Sequence, residues 1–128
     1  MQPHIVLPAN SPKPVGPYSH AVRVGDFLFS SGQIPLNAEG TLVPGGIQEQ
    51  TRQVLQNISA ILKDQGLTPS SVVKTTVFMT NLGEFAEMNS TYAEFFTSNP
   101  PARSTVQVAA LPKNAKVEIE FVACYSTP

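Results

Sequence analysis

The sequence predicts one α+β domain, on three observations. Its 128 residues are the size of a single domain, and folding would bury roughly two-thirds of the unfolded surface. Apolar residues recur at helical spacing in two segments, whereas five others are rich in alternating or β-branched residues. The resulting order is strand, strand, helix, strand, helix, strand, strand. Two helices are too few to cover both faces of a sheet, which favours the α+β class.

The first seventeen residues predict an extended arm that packs against the domain. Proline fixes the backbone and removes a hydrogen-bond donor, and this segment contains five: Pro3, Pro8, Pro12, Pro14 and Pro17. The segment has no apolar core and its first basic residue is Lys13, so it is typical of neither a signal peptide nor a transit peptide. We expect a cytoplasmic protein, or a mitochondrial one if a presequence has been removed.

A hairpin and a long helix follow the arm. Residues Ala21 to Phe29 alternate around a turn at Gly25-Asp26, which predicts two paired strands. After a turn-rich stretch at residues 35–46, apolar positions recur at three and four from Ile47 to Leu62. This segment is therefore an amphipathic helix, and Gly66 is placed as its C-terminal stop.

A third strand leads into the second helix. Residues Val72 to Thr80 are dense in valine, threonine and phenylalanine, which favour strands. Asn81 and Glu84 have the spacing of a capping box, in which an N-cap side chain and a glutamate three residues later each accept a hydrogen bond from the other's backbone N–H. The apolar stripe from Phe85 to Phe96 predicts a helix that ends before Pro100-Pro101.

The last two predicted strands are Arg103 to Ala110 and Lys116 to Tyr125, joined by a turn at residues 112–114. Alternation gives each strand a polar side and an apolar side. The polar side of the first strand holds Arg103, Thr105 and Gln107. Glu118 and Glu120 share one side of the second strand. These polar sides are either a solvated sheet face or part of a carboxylate-binding pocket.

Arg103 and Glu118 are opposite charges among mostly apolar neighbours. Arginine is always protonated and presents a rigid fork of donors that matches a carboxylate, so it requires an anionic partner in a chain with few charges. That partner is either Glu118, in a structural ion pair across adjacent strands, or a bound ligand. The residue types alone do not decide between these two partners.

Composition excludes several classes of function. Eight basic and nine acidic residues give a net charge of −1, and their scattered positions argue against a nucleic-acid-binding surface. No apolar run approaches the roughly eighteen residues of a membrane span. Cys124 is the single cysteine, and the histidines lack the spacing of a structural zinc site. Only 13% of residues are charged, which favours self-association.

Six short motifs resemble those of a known family, the reactive intermediate deaminases, also called the YjgF or RidA family. They occur in the family's order and with its spacing, nearly from end to end of the chain. The matching segments are Gly16-Pro17-Tyr18-Ser19, Ser30-Ser31-Gly32-Gln33-Ile34-Pro35, Val73-Lys74-Thr75-Thr76-Val77-Phe78, Asn89-Ser90-Thr91-Tyr92, Pro101-Ala102-Arg103-Ser104 and Val117-Glu118-Ile119-Glu120.

The resemblance implies a fold, an assembly and an activity. The subunit is expected to be like the Bacillus type of chorismate mutase, a mixed, mainly antiparallel sheet with both helices on one face. Three subunits would form a homotrimer with clefts between neighbours. The implied reaction is hydrolysis of 2-imino acids or their enamines, such as 2-iminobutanoate and 2-iminopropanoate, to 2-keto acids and ammonia. It requires no metal and no organic cofactor.

The resemblance also implies roles for individual residues. Arg103 would bind the substrate carboxylate and Glu118 would orient the attacking water. The other implied pocket positions are Tyr18, Ser31, Gly32, Asn89 and Thr105. Many relatives carry a cysteine where this chain has Thr105, so a thiol mechanism at that position is excluded. Each position also has a structural interpretation, such as a turn at Ser31-Gly32 or ring packing by Tyr18.

Two other classes of function stay open. The first is a translation-inhibiting endoribonuclease in which His4 and His20 serve as acid and base. The absence of a basic stripe argues against it. The second is a non-catalytic trimer that binds small acids, or that holds unfolded clients. The same arginine serves binding and turnover, so the sequence does not separate these classes.

Overall fold

The computed structural model describes residues 2–8, 13–14 and 16–125, which form six strands and two α-helices. The elements in chain order are β1 His4–Val6, β2 Ala21–Val24, β3 Phe27–Ser30, α1 Ile47–Asp64, β4 Val72–Met79, α2 Phe85–Phe95, β5 Ala102–Gln107 and β6 Val117–Cys124. Single 3₁₀ turns occupy Pro69–Ser71, Leu82–Glu84 and Pro112–Asn114. Pro12 of the predicted arm lies outside the described residues.

The six strands form one sheet in the order β1-β2-β3-β6-β4-β5. Neighbouring strands are antiparallel except β4 and β5, which are parallel. This mixed, mainly antiparallel sheet confirms the predicted α+β class. Neither helix of the described part of the chain is long and apolar enough to cross a membrane.

Strand β1 was not predicted, because the five prolines of the arm leave it few backbone donors for pairing with another strand. His4, Ile5 and Val6 lie between Pro3 and Pro8 and keep their backbone donors. They pair with β2, with Val6 opposite Ala21. Three proline-free residues in an already extended segment are therefore enough to add an edge strand.

Both helices pack on one face of the sheet and enclose the core. The inner stripe of α1 includes Val54, Ile58 and Ile61, which are fully buried. They belong to one apolar cluster with Val77 and Ile119 of the sheet. Burying each such side chain stabilises the fold by about 1.5–3 kcal/mol relative to leaving it exposed.

Helix α1 ends where the sequence predicts. Gly66 has φ of 70°, in the left-handed region, and its N–H donates to the carbonyl of Lys63 at 3.0 Å. The N–H of Leu67 donates to the carbonyl of Leu62 at 2.8 Å. These two bonds form a Schellman motif, which satisfies carbonyls that the helix itself leaves without partners.

The start of α2 differs from the prediction. Asn81 accepts a hydrogen bond from the N–H of Gly83 at 2.8 Å, so it caps the 3₁₀ turn Leu82–Glu84 and α2 begins only at Phe85. Asparagine competes well for nearby backbone donors, and its position two residues before Gly83 favours the tighter turn.

Strand β5 also differs, because it ends at Gln107 instead of Ala110 and its apolar side does not enter the core. Val106 is 41% exposed. Arg103 and Thr105 instead share the helix-covered face, since they lie opposite Thr75 and Val77 of β4, which are both fully buried. Alternation predicts which side chains share a face, but it does not predict which face the helices cover.

Neither helix of the described residues covers the other side of the sheet, which we call the open sheet face. In β6 it carries Glu118 and Glu120, whereas Val117 and Ile119 are buried beneath the helices, as alternation predicted. Several of its apolar side chains are largely exposed. They are Phe27 (45%), Phe29 (44%) and Val106 (41%).

Candidate active site

Four of the predicted site residues line one pocket. This cavity has a volume of about 340 Å³ and opens beside the start of β6. Its lining residues are Tyr18, Ser31, Gly32, Ile34, Pro112 and Glu118. Ile34 and Pro112 were not predicted and give the pocket an apolar wall.

Gly32 gives the Glu118 side chain its place in the pocket. A Cβ atom at position 32 would lie 2.6 Å from Cδ and 2.8 Å from Cγ of Glu118, closer than real contacts allow. The backbone beside it is fixed, because the N–H of Gln33 donates to the carbonyl of Ile119 at 2.8 Å and the reverse bond is 3.1 Å. A side chain at position 32 would therefore displace the Glu118 side chain from its present position.

Ser31 and Tyr18 connect the pocket to the segment before β2. The hydroxyl of Ser31 donates to the carbonyl of Ser19 at 2.5 Å, and its N–H donates to the carbonyl of His20 at 2.8 Å. The Tyr18 ring meets the His20 ring edge-on with centroids 6.5 Å apart. Tyr18 is 46% exposed, so much of its surface remains accessible to a ligand.

Glu118 is a stronger proton acceptor than an ordinary glutamate. Burial raises the pKa of its carboxyl, and the nearby negative charge of Glu120 raises that pKa further. Burial disfavours the charged form, and a like charge adds to this cost. A carboxylate with a raised pKa matches the requirement for a general base at neutral pH.

A second cluster surrounds Arg103. Its Nη1 atom donates to Oδ1 of Asn89 at 2.8 Å. Its Cζ atom lies 4.7 Å from the ring centroid of Tyr92 and 5.4 Å from that of Phe85. Thr105 lies two residues along on the same face of β5. None of the described residues supplies a carboxylate partner for Arg103.

The two clusters lie on opposite faces of the sheet. Arg103 is opposite Thr75 of β4, whereas Glu118 is opposite Phe78. Thr75 and Phe78 are three positions apart, an odd offset that places them on different faces and about 10 Å apart along the strand. Strand β4 also lies between β5 and β6. The predicted alternative of an Arg103–Glu118 ion pair across adjacent strands of the chain is therefore wrong.

The two histidines lie near β1 and β2. His4 lies in β1 opposite Arg23 and is exposed, while only 7% of His20 is exposed. Arg23 is three residues from His20, so the histidines are about 10 Å apart along the strand direction. This spacing and the burial of His20 do not favour a shared acid–base pair.

Sequence reasoning missed the aromatic surroundings of Arg103. Phe85, Asn89 and Tyr92 are spaced by four and then three residues on α2, which places them on one helix face. Phe85 and Tyr92 were assigned only to the apolar stripe of the helix. A polar residue between two aromatic residues at this spacing was the signal that could have identified the cluster.

The fold and the two clusters define an α+β protein with a glutamate in an open pocket and an arginine held apart from any acid among the described residues. Comparison with protein families then gives the identity at family level. The model of the endoribonuclease L-PSP family matches residues 8–125. The chain belongs to this family, which is the YjgF or RidA family that its six motifs resemble.

Relatives of the chain carry several names. It is 46% identical over 117 residues to the 2-iminobutanoate/2-iminopropanoate deaminase of Escherichia coli K12, covering 89% of this chain and 91% of that protein. It is 48% identical over 120 residues to a RutC family protein of Pyrococcus horikoshii, covering 93% and 95%. The structure of E. coli TdcF with bound serine matches with a TM-score of 0.91 at 41% identity, covering 96% and 99%.

Proposed function

We propose that this protein hydrolyses small 2-imino acids, including 2-iminobutanoate and 2-iminopropanoate, to 2-keto acids and ammonia. The observation that carries the proposal is the Arg103 guanidinium, which is oriented by Asn89 but has no acidic partner among the described residues. The deaminase of E. coli is a close relative in sequence. TdcF, another relative, binds serine, a small molecule with a carboxylate.

Each step of the proposed reaction requires one of these groups. Arg103 binds the substrate carboxylate through charge-assisted hydrogen bonds, each contributing about 1.5–3 kcal/mol. Glu118 accepts a proton from water as its oxygen adds to the carbon of the imine, which is protonated on nitrogen, and a carbinolamine forms. Glu118 then returns this proton to the nitrogen, the C–N bond breaks and ammonia leaves. The hydroxyl oxygen becomes the keto group as its proton passes to the Glu118 carboxylate. A positioned carboxylate in this role typically accelerates a reaction by about 10²- to 10⁴-fold.

The complete site requires two subunits in this proposal, because one subunit holds Arg103 and Glu118 on opposite faces. One subunit supplies Arg103, Asn89 and Thr105. Its neighbour in a homotrimer supplies the pocket, with Tyr18, Ser31, Gly32 and Glu118. The open sheet face, with its exposed Phe27, Phe29 and Val106, is the surface that another subunit covers. Exposed apolar patches of this kind mark association surfaces.

The first experiment measures ammonia release from 2-iminobutanoate generated in situ by a dehydratase. Arg103→Ala should lower kcat/KM by about a hundredfold or more, because the lost bonds contribute on the order of 3 kcal/mol. Arg103→Lys retains the charge without the fork. Arg23→Ala is the matched control, because Arg23 stacks on Tyr125 at 3.7 Å, away from both clusters. A full rate in Arg103→Ala would overturn the proposed role.

A mixing experiment tests the shared site. Arg103→Ala and Glu118→Gln subunits are inactive alone in this proposal. When the two are refolded together in equal amounts, about a quarter of the sites combine an intact arginine with an intact glutamate, as expected for random heterologous pairing in a ring. Recovery of about a quarter of the activity of the original protein supports sites between subunits. If mixed trimers recover no activity, each site lies within one chain.

Three other functions have distinct signatures. The family description names an endoribonuclease, and RNA cleavage would be salt-sensitive and lost in His4→Ala or His20→Ala. A non-catalytic binder of small acids would bind 2-oxobutanoate through Arg103 without accelerating ammonia release. A holdase would suppress aggregation of an unfolded client protein even in the Arg103→Ala variant. Imine hydrolysis that depends on Arg103 and Glu118 excludes all three as the sole function.

A further inference from the structure

We propose that Tyr92 and Thr75 are positioning residues that fix the direction in which the Arg103 guanidinium points. This inference rests on the proposed function, in which Arg103 binds the substrate carboxylate. Neither residue belongs to the set predicted from the sequence. Both act through Arg103 without touching the substrate.

The first observation is a buried pair of hydroxyl groups. Oγ1 of Thr75 and the phenolic oxygen of Tyr92 are 2.7 Å apart, within hydrogen-bond distance. Thr75 is fully buried and Tyr92 is 5% exposed. Burial raises the pKa of Tyr92, so the phenol stays neutral at physiological pH. A buried hydrogen bond between neutral groups holds the ring at one end, because leaving either hydroxyl without a partner is costly.

The second observation is that the Tyr92 ring forms a fixed surface beneath the guanidinium. The ring centroid lies 4.7 Å from Cζ of Arg103, a distance typical of a cation–π contact. On another side, Phe96 packs against Tyr92 with centroids 4.7 Å apart. The ring is therefore held by Thr75 at its hydroxyl and by contact with Phe96, and its position limits where the guanidinium above it can lie.

The backbone closes this chain of contacts. Thr75 and Arg103 are direct partners in the ladder between β4 and β5. The contacts thus run from the Arg103 backbone to Thr75, through the Tyr92 ring, and back to the Arg103 guanidinium. Asn89 accepts from Nη1 and fixes the remaining rotation. An arginine preset in this way loses less side-chain entropy when it binds a carboxylate.

The alternative is that Thr75 and Tyr92 only satisfy each other in the core. Valine has nearly the shape of threonine, so Thr75→Val removes the hydroxyl and leaves the Tyr92 phenol without this hydrogen bond. Tyr92→Phe keeps the ring and removes the other hydroxyl. A purely structural pair predicts that both variants change stability and leave ligand binding unchanged.

The kinetic experiment measures KM and kcat for 2-iminobutanoate in both variants. We expect KM to rise by about three- to tenfold with kcat nearly unchanged, since the carboxylate contact is made equally in the ground state and the transition state. The double variant should be no worse than the more affected single variant, because both remove the same bond. Thr75→Ser retains a hydroxyl and should keep KM close to that of the original protein.

Thr91→Val is the matched control. Thr91 is also a buried threonine, adjacent to Tyr92 on α2, and its hydroxyl donates to the carbonyl of Glu87 at 3.4 Å. It takes no part in the contacts around Arg103. Thr91→Val should therefore leave KM unchanged. An equal rise in KM for Thr91→Val would show a general effect of core hydroxyls and would overturn the positioning role.

A spectroscopic experiment separates this inference from the proposed function. The chain has three arginines, Arg23, Arg52 and Arg103, so the Nε–Hε signal of Arg103 can be assigned by its loss in Arg103→Lys. We expect Thr75→Val and Tyr92→Phe to shift that signal and to increase its mobility, with no change in Thr91→Val. An unchanged signal overturns the inference even if imines are hydrolysed. A shifted signal supports it even if they are not.

Discussion

The contact between Gly32 and Glu118 provides the sharpest single test of the proposed chemistry. Gly32→Ala adds one methyl group at the position that the Glu118 side chain now occupies. That methyl would lie 2.6 Å from Cδ and 2.8 Å from Cγ of Glu118, whereas carbon atoms normally approach to about 3.5–4.0 Å. The backbone at this point is fixed by the pair of hydrogen bonds between Gln33 and Ile119. The side chain of Glu118 must therefore move by about 1 Å.

A shift of that size is large for catalysis and small for folding. Misplacing a catalytic group by about 1 Å can cost about a hundredfold in rate, which corresponds to about 2.7 kcal/mol in the activation free energy. Arg103 lies on the other face of the sheet and keeps its contacts. We therefore expect kcat to fall about a hundredfold while KM changes little.

The assay is the coupled release of ammonia, with the mass of the assembly and circular dichroism as checks of the fold. Gly46→Ala is the control, because a Cβ at Gly46 would lie 3.7 Å from the nearest atom, in ordinary contact. Gly46 caps α1 away from the pocket. If Gly32→Ala folds normally and retains its kcat, the position of Glu118 against Gly32 is not used in the reaction.

Three further predictions follow from other parts of the structure. Glu120→Gln removes a charge that raises the pKa of Glu118, so the acid limb of the rate–pH profile, where Glu118 is protonated and the rate is lost, should move to lower pH. Gly66→Ala places a side chain at φ of 70°; it should cost about 1 kcal/mol and lower the melting temperature by a few degrees at fixed protein concentration, with the rate unchanged. Phe29→Glu puts a charge on the open sheet face, so light scattering should find smaller species with little activity.

The helices and most strands were predictable because their signals are local. The stripe from Ile47 to Leu62 and the stop at Gly66 placed α1 to within two residues of Asp64, where it ends. Periodicity and a glycine in the left-handed region depend only on nearby residues. Strand β1 was missed because prolines dominated the interpretation of a segment whose pairing depends on the distant strand β2.

The residues of the site were predictable from motifs, but their arrangement was not. Alternation along β5 and β6 placed Arg103 and Glu118 each on a polar side. Whether those sides coincide depends on the register of both strands against β4, and β4 is parallel to one and antiparallel to the other. Register between strands distant in sequence is set by tertiary packing, so the pattern of one strand contains no information about it.

The environment of Arg103 argues against a purely structural role for its charge. An arginine that served only the fold would be expected to contact a carboxylate, because a carboxylate accepts two parallel hydrogen bonds from the guanidinium fork. Arg103 instead contacts a neutral amide and two aromatic rings. These contacts orient the guanidinium without neutralising it, so its attraction for an external carboxylate is preserved. Asn89→Asp would supply the missing negative charge beside Arg103, so we expect it to abolish substrate binding. Asn89→Ser is the neutral control. This loss of binding distinguishes an arginine reserved for a ligand from one that only supports the fold.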